Sequence, residues 1–156
     1  MSLNTAREHL ASFQAADRIL LFEESSATVD LAAKDIGCDP SLICKTMAFA
    51  DGEKTLIIAM AGDARIDNRK FKDQFHIKAR MLKGEEVEER TSHPIGGVCP
   101  FGLKEGCEVY LDQSLQRFEK VYPACGSPNS AICLTIGEME QFSGSGRWID
   151  VTKVSA

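Results

Sequence analysis

Residues 43–61 read ICKTMAFADGEKTLIIAMA, and this stretch decides the fold. Two apolar runs, 43–50 and 55–61, flank the polar tetrapeptide Asp51-Gly52-Glu53-Lys54. Apolar runs of this length joined by an Asp-Gly turn are typical of a β-hairpin, because glycine adopts the positive φ that tight turns need. The sequence therefore predicts two extended, paired strands.

The segments around this hairpin alternate between helix and strand patterns. Apolar residues at helical spacing predict an amphipathic helix over 3–16. Thr28 and Gly37 suit the cap and the end of a second helix, and Asp67 can cap a third helix that runs to Phe75. The other predicted elements are helices over 85–91 and 138–142 and strands over 19–22, 77–82, 109–111, 120–123, 131–136 and 148–151. Together they predict a single α+β domain over residues 1–156, with more strands than long helices.

Composition bounds the class of protein. A chain of 156 residues with 44% hydrophobic residues can build one compact domain with its own core. Its apolar runs, such as 56–61, are far shorter than the roughly 20 residues that a membrane span needs. Its N-terminal segment lacks the basic flank and apolar block of a secretory signal. We therefore expect a cytoplasmic protein without a membrane partner.

Six cysteines raise the question of a metal or redox site. None belongs to a Cys-x-x-Cys pair, and no histidine lies at a ligand spacing from one of them. The number of thiols favours a redox or metal protein, whereas their spacing does not. Without a secretory signal, we interpret them as reduced thiols packed as small core residues, and we expect no metal and no cofactor.

A second segment, IGGVCPFG at 95–102, has three glycines and a proline but no charge. Glycines let another molecule approach the main chain, and proline fixes the bend that follows. Such a loop suits a site that binds through backbone N–H groups, although an ordinary tight turn has the same composition.

Four segments in a fixed order carry a family resemblance. KTMAF at 45–49, GDARID at 62–67, the glycine loop and VYLD at 109–112 make the chain resemble the YbaK/EbsC family over most of residues 26–144. That family comprises editing domains related to the insertion domain of bacterial prolyl-tRNA synthetases, and its free-standing members hydrolyse mischarged aminoacyl-tRNA. The resemblance implies a curled mixed β-sheet with a barrel-like core packed by helices. It also implies aminoacyl-tRNA as substrate, prolyl-tRNA synthetase as a partner and no cofactor.

The resemblance implies an active site as well. In the family, the Gly-x-x-x-Pro loop, here Gly96 to Pro100, belongs to the catalytic centre. Its N–H groups could stabilise the oxyanion of ester hydrolysis, where losing one donor commonly costs about 3–4 kcal/mol. Lys45 occupies the position of the family's lysine, which would bind a phosphate or carbonyl of the terminal nucleotide, whereas alone it would be interpreted as a surface lysine. The predicted catalytic residues are Lys45, Gly96, Gly97, Val98 and Cys99.

A general base is not evident among the three histidines. His9 and His76 are distant in sequence from the glycine loop, and His93 precedes it as an extended pre-proline residue. We therefore expect substrate assistance, in which the ribose hydroxyl beside the ester or the substrate's own side chain orders the attacking group. Cys99, where family members often carry serine, could be a nucleophile, but we interpret it as a small packed residue.

Further residues are predicted to contact the substrate. Apolar residues near the motifs, including two methionines of the hairpin and Val98, are candidates for the pocket wall. Asp112 could bind an amine or a hydroxyl or be an ordinary edge aspartate, and the turn at 124–129 could touch the amino acid or be a plain turn. The predicted set is Met47, Met60, Pro100, Asp112, Gly126 and Ser127. Alanine, cysteine or another small residue on tRNA(Pro) are candidates for the amino acid removed.

Charge is distributed unevenly along the chain. The net charge is −5, yet residues 64–83 hold seven basic and two acidic side chains. A basic stripe on an acidic body can steer a phosphate chain, although a solvated helix face has the same pattern. We predict that Arg65, Arg69, Lys70 and Lys72 contact RNA phosphates, and we expect no DNA partner. The competing function class is a noncatalytic nucleotide- or tRNA-binding accessory module, which would need the stripe but not Lys45 beside an open glycine loop.

Overall fold

The computed structural model of the chain describes residues 2–23 and 28–154. The helices are α1 (Ser2–Ala11), α2 (Val29–Ile36), α3 (Asn68–Phe75), α4 (Glu85–Thr91) and α5 (Ile136–Ser143). The strands are β1 (Leu20–Leu21), β2 (Ile43–Asp51), β3 (Lys54–Ala61), β4 (Ala64–Ile66), β5 (Cys107–Asp112), β6 (Lys120–Pro123), β7 (Ser130–Ala131), β8 (Leu134–Thr135), β9 (Trp148–Ile149) and β10 (Thr152–Val154). Short 3-10 helices lie at Ala16–Arg18, Pro40–Leu42 and Gln113–Arg117.

Six strands form a curled, half-barrel sheet in the order β8-β6-β2-β3-β5-β9. The predicted hairpin is confirmed, because β2 and β3 pair antiparallel up to Asp51 opposite Lys54. Gly52 has φ of 61° at the second position of the turn 51–54, as a type II′ turn requires. β3 pairs parallel with β5 and β2 pairs parallel with β6, so the sheet is mixed. The fold is the predicted single α+β domain.

Two predicted helix starts are confirmed by their caps. The Thr28 hydroxyl accepts a hydrogen bond from the Leu31 N–H at 3.2 Å, and α2 ends at Gly37 with φ of 82°. Asp67 caps α3 by accepting from the N–H groups of Arg69 and Lys70. These bonds satisfy backbone donors that a helix leaves free in its first turn, which fixes where each helix begins.

Three predicted elements differ from the structure. The first helix ends at Ala11 rather than at residue 16, because Gln14 has φ of 62° and breaks the helical path. Residues 77–82 make one isolated bridge, Phe49 with Met81, instead of a strand. The predicted strand over 131–136 is divided between β7, β8 and the start of α5.

Helix α3 packs on the sheet through aromatic rings. The Phe71 ring lies 4.9 Å from that of Phe49, and the Phe75 ring lies 5.0 Å from that of Tyr110. Phe71 is fully buried against the sheet, so the basic residues of α3 lie on the other faces of the helix. Among the helices of the described ranges, none is long and apolar enough to cross a membrane.

Candidate active site

Strand β2 changes its neighbour along one edge. Near its start it pairs with β6, where Ile43 lies opposite Tyr122. Further along it pairs with the segment 80–82, whose Leu82 N–H donates to the Ala48 carbonyl at 3.0 Å. Between these two neighbours, no residue that the structure describes pairs with this edge. The sheet therefore has a gap beside the middle of β2.

A cavity of about 540 Å³ lies at this gap. Five consecutive residues of β2, 44–48, line it, as expected when a cavity follows a strand edge rather than one face. Its volume falls in the range typical of small-ligand sites. The other lining residues are Thr28, Val29, Ala32, Ile43, Met81, Leu82, Lys83, Gly84, Val87, Ile95, Gly96, Val98, Tyr122, Ala124, Ser130 and Ala131. Four predicted site residues therefore meet here: Lys45, Met47, Gly96 and Val98.

The glycine loop begins with a tight turn. The Gly97 N–H donates to the Pro94 carbonyl at 2.9 Å, and Gly96 has φ of 87°, as the third position of a type II turn requires. The Gly97 N–H is therefore bonded within the loop, whereas an oxyanion donor needs a free N–H group. The N–H groups of Gly96 and Val98 make no hydrogen bond to any described residue, and both residues line the cavity.

Gly97 instead lies where the glycine loop packs against the main chain of the turn at 126–127. A Cβ on Gly97 would lie 2.6 Å from the Ser127 nitrogen and 2.7 Å from the Gly126 carbonyl carbon, both main-chain atoms. Only glycine allows this approach. Gly126 and Ser127, predicted to contact the substrate, do not line the cavity and support the glycine loop through this contact.

Lys45 is half-buried in the cavity wall. Its ammonium makes no hydrogen bond or ion pair with a described residue, and Asp63 is paired with Arg117 at 2.6 Å. Burial lowers the pKa of Lys45 below its ordinary value, and the charge of Asp63 partly opposes this shift. A desolvated ammonium without a partner is available to bind an anionic or carbonyl oxygen.

The cavity has cations and hydroxyls but no acidic side chain in its described lining. Lys45 and Lys83 are the charged lining residues, and the hydroxyl groups belong to threonine, serine and tyrosine. No histidine, aspartate or glutamate of the described chain lines the cavity. This lining supports anion binding and oxyanion stabilisation and offers no carboxylate or imidazole as a general base.

Cys99 and His93 form a buried pair outside the cavity lining. Both are fully buried, and the Cys99 Sγ lies 3.5 Å from the His93 Nε2. Burial raises the pKa of Cys99 to about 12, and burial lowers the pKa of His93. Cys99 is therefore a neutral thiol at physiological pH, and a thiol is a much weaker nucleophile than a thiolate. Pro100 is buried beside it and does not line the cavity.

Met60 and Asp112, both predicted to contact the substrate, do not line the cavity. Met60 lies opposite Lys45 on β3 and is fully buried in the core. The fully buried Asp112 carboxylate accepts hydrogen bonds from the Thr152 hydroxyl at 2.7 Å and from the N–H groups of Ser114 and Val151, both at 2.9 Å. Its hydrogen-bonding capacity is used by the fold, so it joins β5 to the segment that leads into β10.

None of the four predicted RNA-binding residues lines the cavity. The Lys70 ammonium donates to the Asp150 carboxylate at 3.0 Å and to the Thr152 carbonyl at 2.9 Å, so it fastens α3 to β10. Arg65, Arg69 and Lys72 are exposed and make no ion pair with described residues.

Sequence reasoning missed much of the cavity wall. The α2 residues Val29 and Ala32 line it, as do segment 81–84 and Tyr122. The sequence shows the apolar pattern of α2, but an amphipathic pattern does not separate residues that face a cavity from those that face the core. The gap in the sheet leaves no local signal, because it depends on which distant segments pair with β2.

These features define a class of protein: a mixed α+β domain whose cavity lies at an open strand edge between an unpaired lysine and a glycine loop. A family model described as the aminoacyl-tRNA editing domain matches residues 23–142. The chain belongs to this family.

Relatives of the chain include synthetases and proteins of similar length. The uncharacterized protein YwhH of Bacillus subtilis (strain 168) is 52% identical over 154 residues, which are 98% of each chain. Proline–tRNA ligase of Limosilactobacillus fermentum is 32% identical over 96 residues, which are 57% of this chain and only 17% of the ligase. A solved structure, of a protein proposed as a trans-editing enzyme for prolyl tRNA synthetase, matches with a TM-score of 0.87 and 25% identity over 97% of each chain.

Proposed function

We propose that this protein is a trans-editing hydrolase that deacylates mischarged aminoacyl-tRNA, with tRNA(Pro) carrying a small wrong amino acid as its substrate. The observation that carries the proposal is the meeting of Lys45 and the glycine loop at one cavity, in a chain of the aminoacyl-tRNA editing family. The similarity to a proline–tRNA ligase supports tRNA(Pro) as the carrier and prolyl-tRNA synthetase as the functional partner.

Such an activity compensates for a physical limit on how well synthetases discriminate between similar amino acids. One methylene in a hydrophobic pocket is worth only about 1–3 kcal/mol, so a synthetase that binds one amino acid also accepts a slightly smaller one. A second site that hydrolyses the wrong product restores accuracy. Met47 and Val98 are the predicted pocket-wall residues that line the cavity, and we propose that they contact the amino acid.

The proposed hydrolysis divides the work between the protein and the substrate. Water adds to the ester carbonyl, the negative charge develops on the carbonyl oxygen, and the ribose oxygen leaves with a proton to give free amino acid and tRNA. The N–H groups of Gly96 and Val98 would stabilise the oxyanion, and Lys45 would bind a phosphate or the carbonyl. The ribose hydroxyl beside the ester would order the water, which suits a lining without a described acid or histidine.

The test is a deacylation assay on a panel of charged tRNAs. tRNA(Pro) carrying alanine, cysteine or proline and tRNA(Ala) carrying alanine are incubated with the parent protein, with Lys45→Ala and with Lys34→Ala. We expect rapid hydrolysis of one mischarged tRNA(Pro), a roughly 100-fold slower reaction for Lys45→Ala as for loss of one oxyanion-stabilising group, and no change for the exposed control Lys34→Ala. Binding of tRNA without hydrolysis of any member of the panel would favour the accessory module instead.

A further inference from the structure

Thr46 lies at the middle of the open edge of β2. Hydrogen bonding alternates along an antiparallel strand, so residues two apart present their N–H and C=O groups to the same side. The Ala48 carbonyl and the Ala50 N–H both bond to the segment 80–82, at 3.0 and 2.9 Å, which identifies the outward side. The N–H and C=O groups of Thr46 therefore face the gap, and neither has a hydrogen-bond partner within the described residues.

These two main-chain groups lie in the wall of the cavity without a protein partner. Main-chain groups of folded proteins are almost always paired, with protein, with water or with a ligand. A ligand satisfies both groups of Thr46 only if it carries one donor and one acceptor at the spacing of a single strand residue. This requirement restricts the chemistry of the group that can lie along the edge.

The aminoacyl end of the proposed substrate meets this requirement. Its α-amino group is a donor, its ester carbonyl is an acceptor, and one Cα separates them, as in a residue of a strand. Two residues directly opposite in an antiparallel pair exchange both of their hydrogen bonds, so one amino acid is enough. Parallel pairing would divide the two bonds between two outward-facing residues that lie two apart, such as Thr46 and Ala48, and would leave one main-chain group of Thr46 without a partner.

We propose that Thr46 binds the aminoacyl group of the substrate as a one-residue antiparallel β-pair. The Thr46 carbonyl accepts from the α-amino group, and the Thr46 N–H donates to the ester carbonyl. The inference rests on the proposed function, because it assumes an aminoacyl ester in this cavity. It explains how a lining without a described carboxylate receives an amino group, and it directs an N–H at the oxygen on which negative charge develops.

Recognition of this kind depends on the main chain of both partners. The pair holds the amino and carbonyl groups in one orientation for any amino acid, so discrimination between amino acids falls to the side chains around the pair. Lys45 and Met47 flank Thr46 on the strand and line the same cavity. The Thr46 hydroxyl has no part in the pairing, which makes the proposal separable from a side-chain effect.

The first experiment uses hydrolysis-resistant ligands and the parent protein. The probes are 3′-alanylamino-3′-deoxyadenosine, in which an amide replaces the ester, and the 3′-propionylamino analogue, which lacks only the α-amino group. We expect the alanyl analogue to bind at least ten-fold more tightly than the propionyl analogue. Amide hydrogen exchange followed by NMR should show the Thr46 N–H exchanging rapidly in the free protein and slowing at least ten-fold with the alanyl analogue. The Ala50 N–H, which is already bonded to Arg80, serves as the control and should be protected in both states.

The second experiment changes Thr46. Thr46→Pro removes an N–H that no strand neighbour uses, and proline is tolerated at such outward positions of edge strands. We expect this variant to bind the alanyl analogue at least ten-fold more weakly and to lose the preference for it over the propionyl analogue. Thr46→Val removes the hydroxyl and keeps the main-chain groups, so we expect it to retain the preference for the alanyl analogue over the propionyl analogue.

The outcomes separate this inference from the proposed function. Unchanged exchange of the Thr46 amide on binding, or parental affinity and preference in a folded Thr46→Pro, would overturn the pairing while leaving the deacylase proposal intact. A protein that hydrolyses mischarged tRNA but fails to bind the alanyl analogue would also overturn it. Protection of the Thr46 amide without hydrolysis of any charged tRNA would support the pairing and reject the hydrolase. If Thr46→Pro does not fold, the exchange and affinity data on the parent decide the question.

Discussion

Asp112 and Lys45 are two charged residues of one sheet with opposite surroundings. The Asp112 carboxylate is fully buried and accepts three hydrogen bonds from the chain, whereas the half-buried Lys45 ammonium has no partner among the described residues. A buried charge whose bonds are all made by the protein stabilises the fold. A charge left without a partner in a cavity wall is available to a ligand. The difference distinguishes a structural residue from a candidate functional one better than residue type does.

Removal of Asp112 should have the largest effect on stability. In Asp112→Ala, the N–H groups of Ser114 and Val151 and the Thr152 hydroxyl lose their acceptor while remaining in the fold. Unsatisfied buried donors cost about 1–3 kcal/mol each, so we expect the free energy of unfolding to fall by about 4 kcal/mol. Urea unfolding monitored by circular dichroism measures this loss.

The control for Asp112 is an aspartate at the surface. Asp63→Ala removes the partner of Arg117 from a solvent-exposed pair, where the expected cost is below about 1 kcal/mol. Equal losses for the two variants would show that the three hydrogen bonds of Asp112 contribute no more to stability than an exposed ion pair. The contrast between Asp112 and Lys45 would then not separate a structural residue from a candidate functional one.

Removal of Lys45 should leave stability intact. Lys45→Met keeps the length of the side chain and removes a charge that burial disfavours, so we expect unfolding at neutral pH to require at least as much urea as in the parent. Because the pKa of Lys45 is lowered from its ordinary value of 10.5, the unfolded chain binds more protons than the folded one as the pH approaches that value. The parent should therefore gain stability relative to the variant as the pH rises through this window. A variant that is less stable than the parent at neutral pH would mean that Lys45 supports the fold.

Cys99 extends the comparison to a neutral group. It is fully buried, its pKa is raised to about 12 by burial, and the His93 Nε2 lies 3.5 Å away. Cys99→Ser should therefore keep deacylation within about five-fold of the parent, because a buried, protonated thiol is a poor nucleophile. A loss of 100-fold or more, or an acyl-thioester trapped in the parent and detected by mass spectrometry, would restore covalent catalysis.

The sequence predicts the parts of this fold that depend on local chemistry. The Asp51-Gly52 turn fixes the hairpin, and Thr28 and Asp67 mark helix starts because their side chains bond to nearby backbone groups. The segment 77–82 has a strand-like pattern, but in the structure it meets β2 only through an isolated bridge and the bonds that flank it. Whether this segment forms a strand depends on a distant pairing partner, and the intrinsic β-propensity of its residues carries no information about that partner.

The candidate site is predicted only in part, for the same reason. Sequence motifs identify Lys45, Gly96 and Val98, and all three line the cavity. Gly97 and Asp112 have residue types suited to a site, yet a hydrogen bond to Pro94 occupies the first and three donors occupy the second. Whether a polar group is already paired depends on tertiary contacts and is not visible in the order of residues.

The basic stripe offers the same contrast at the surface, between charged residues with and without a partner in the protein. The expected effect, on the affinity for RNA, is the smallest of those predicted. Arg69 and Lys72 are exposed without an ion pair among described residues, whereas the Lys70 ammonium is bonded to Asp150 and Thr152. If the stripe contacts RNA, Arg69→Ala and Lys72→Ala should each reduce the slope of log affinity against log salt concentration by about 0.7, through the loss of one phosphate contact. Lys70→Ala should leave the slope unchanged because its charge is used within the protein.

The effect of each stripe variant should be equal for correctly and incorrectly charged tRNA, since phosphate contacts position the substrate and do not identify the amino acid. Filter binding between low and physiological salt measures the slopes. A parental slope in the double variant Arg69→Ala with Lys72→Ala would show that these residues solvate α3 and that RNA docks on another surface.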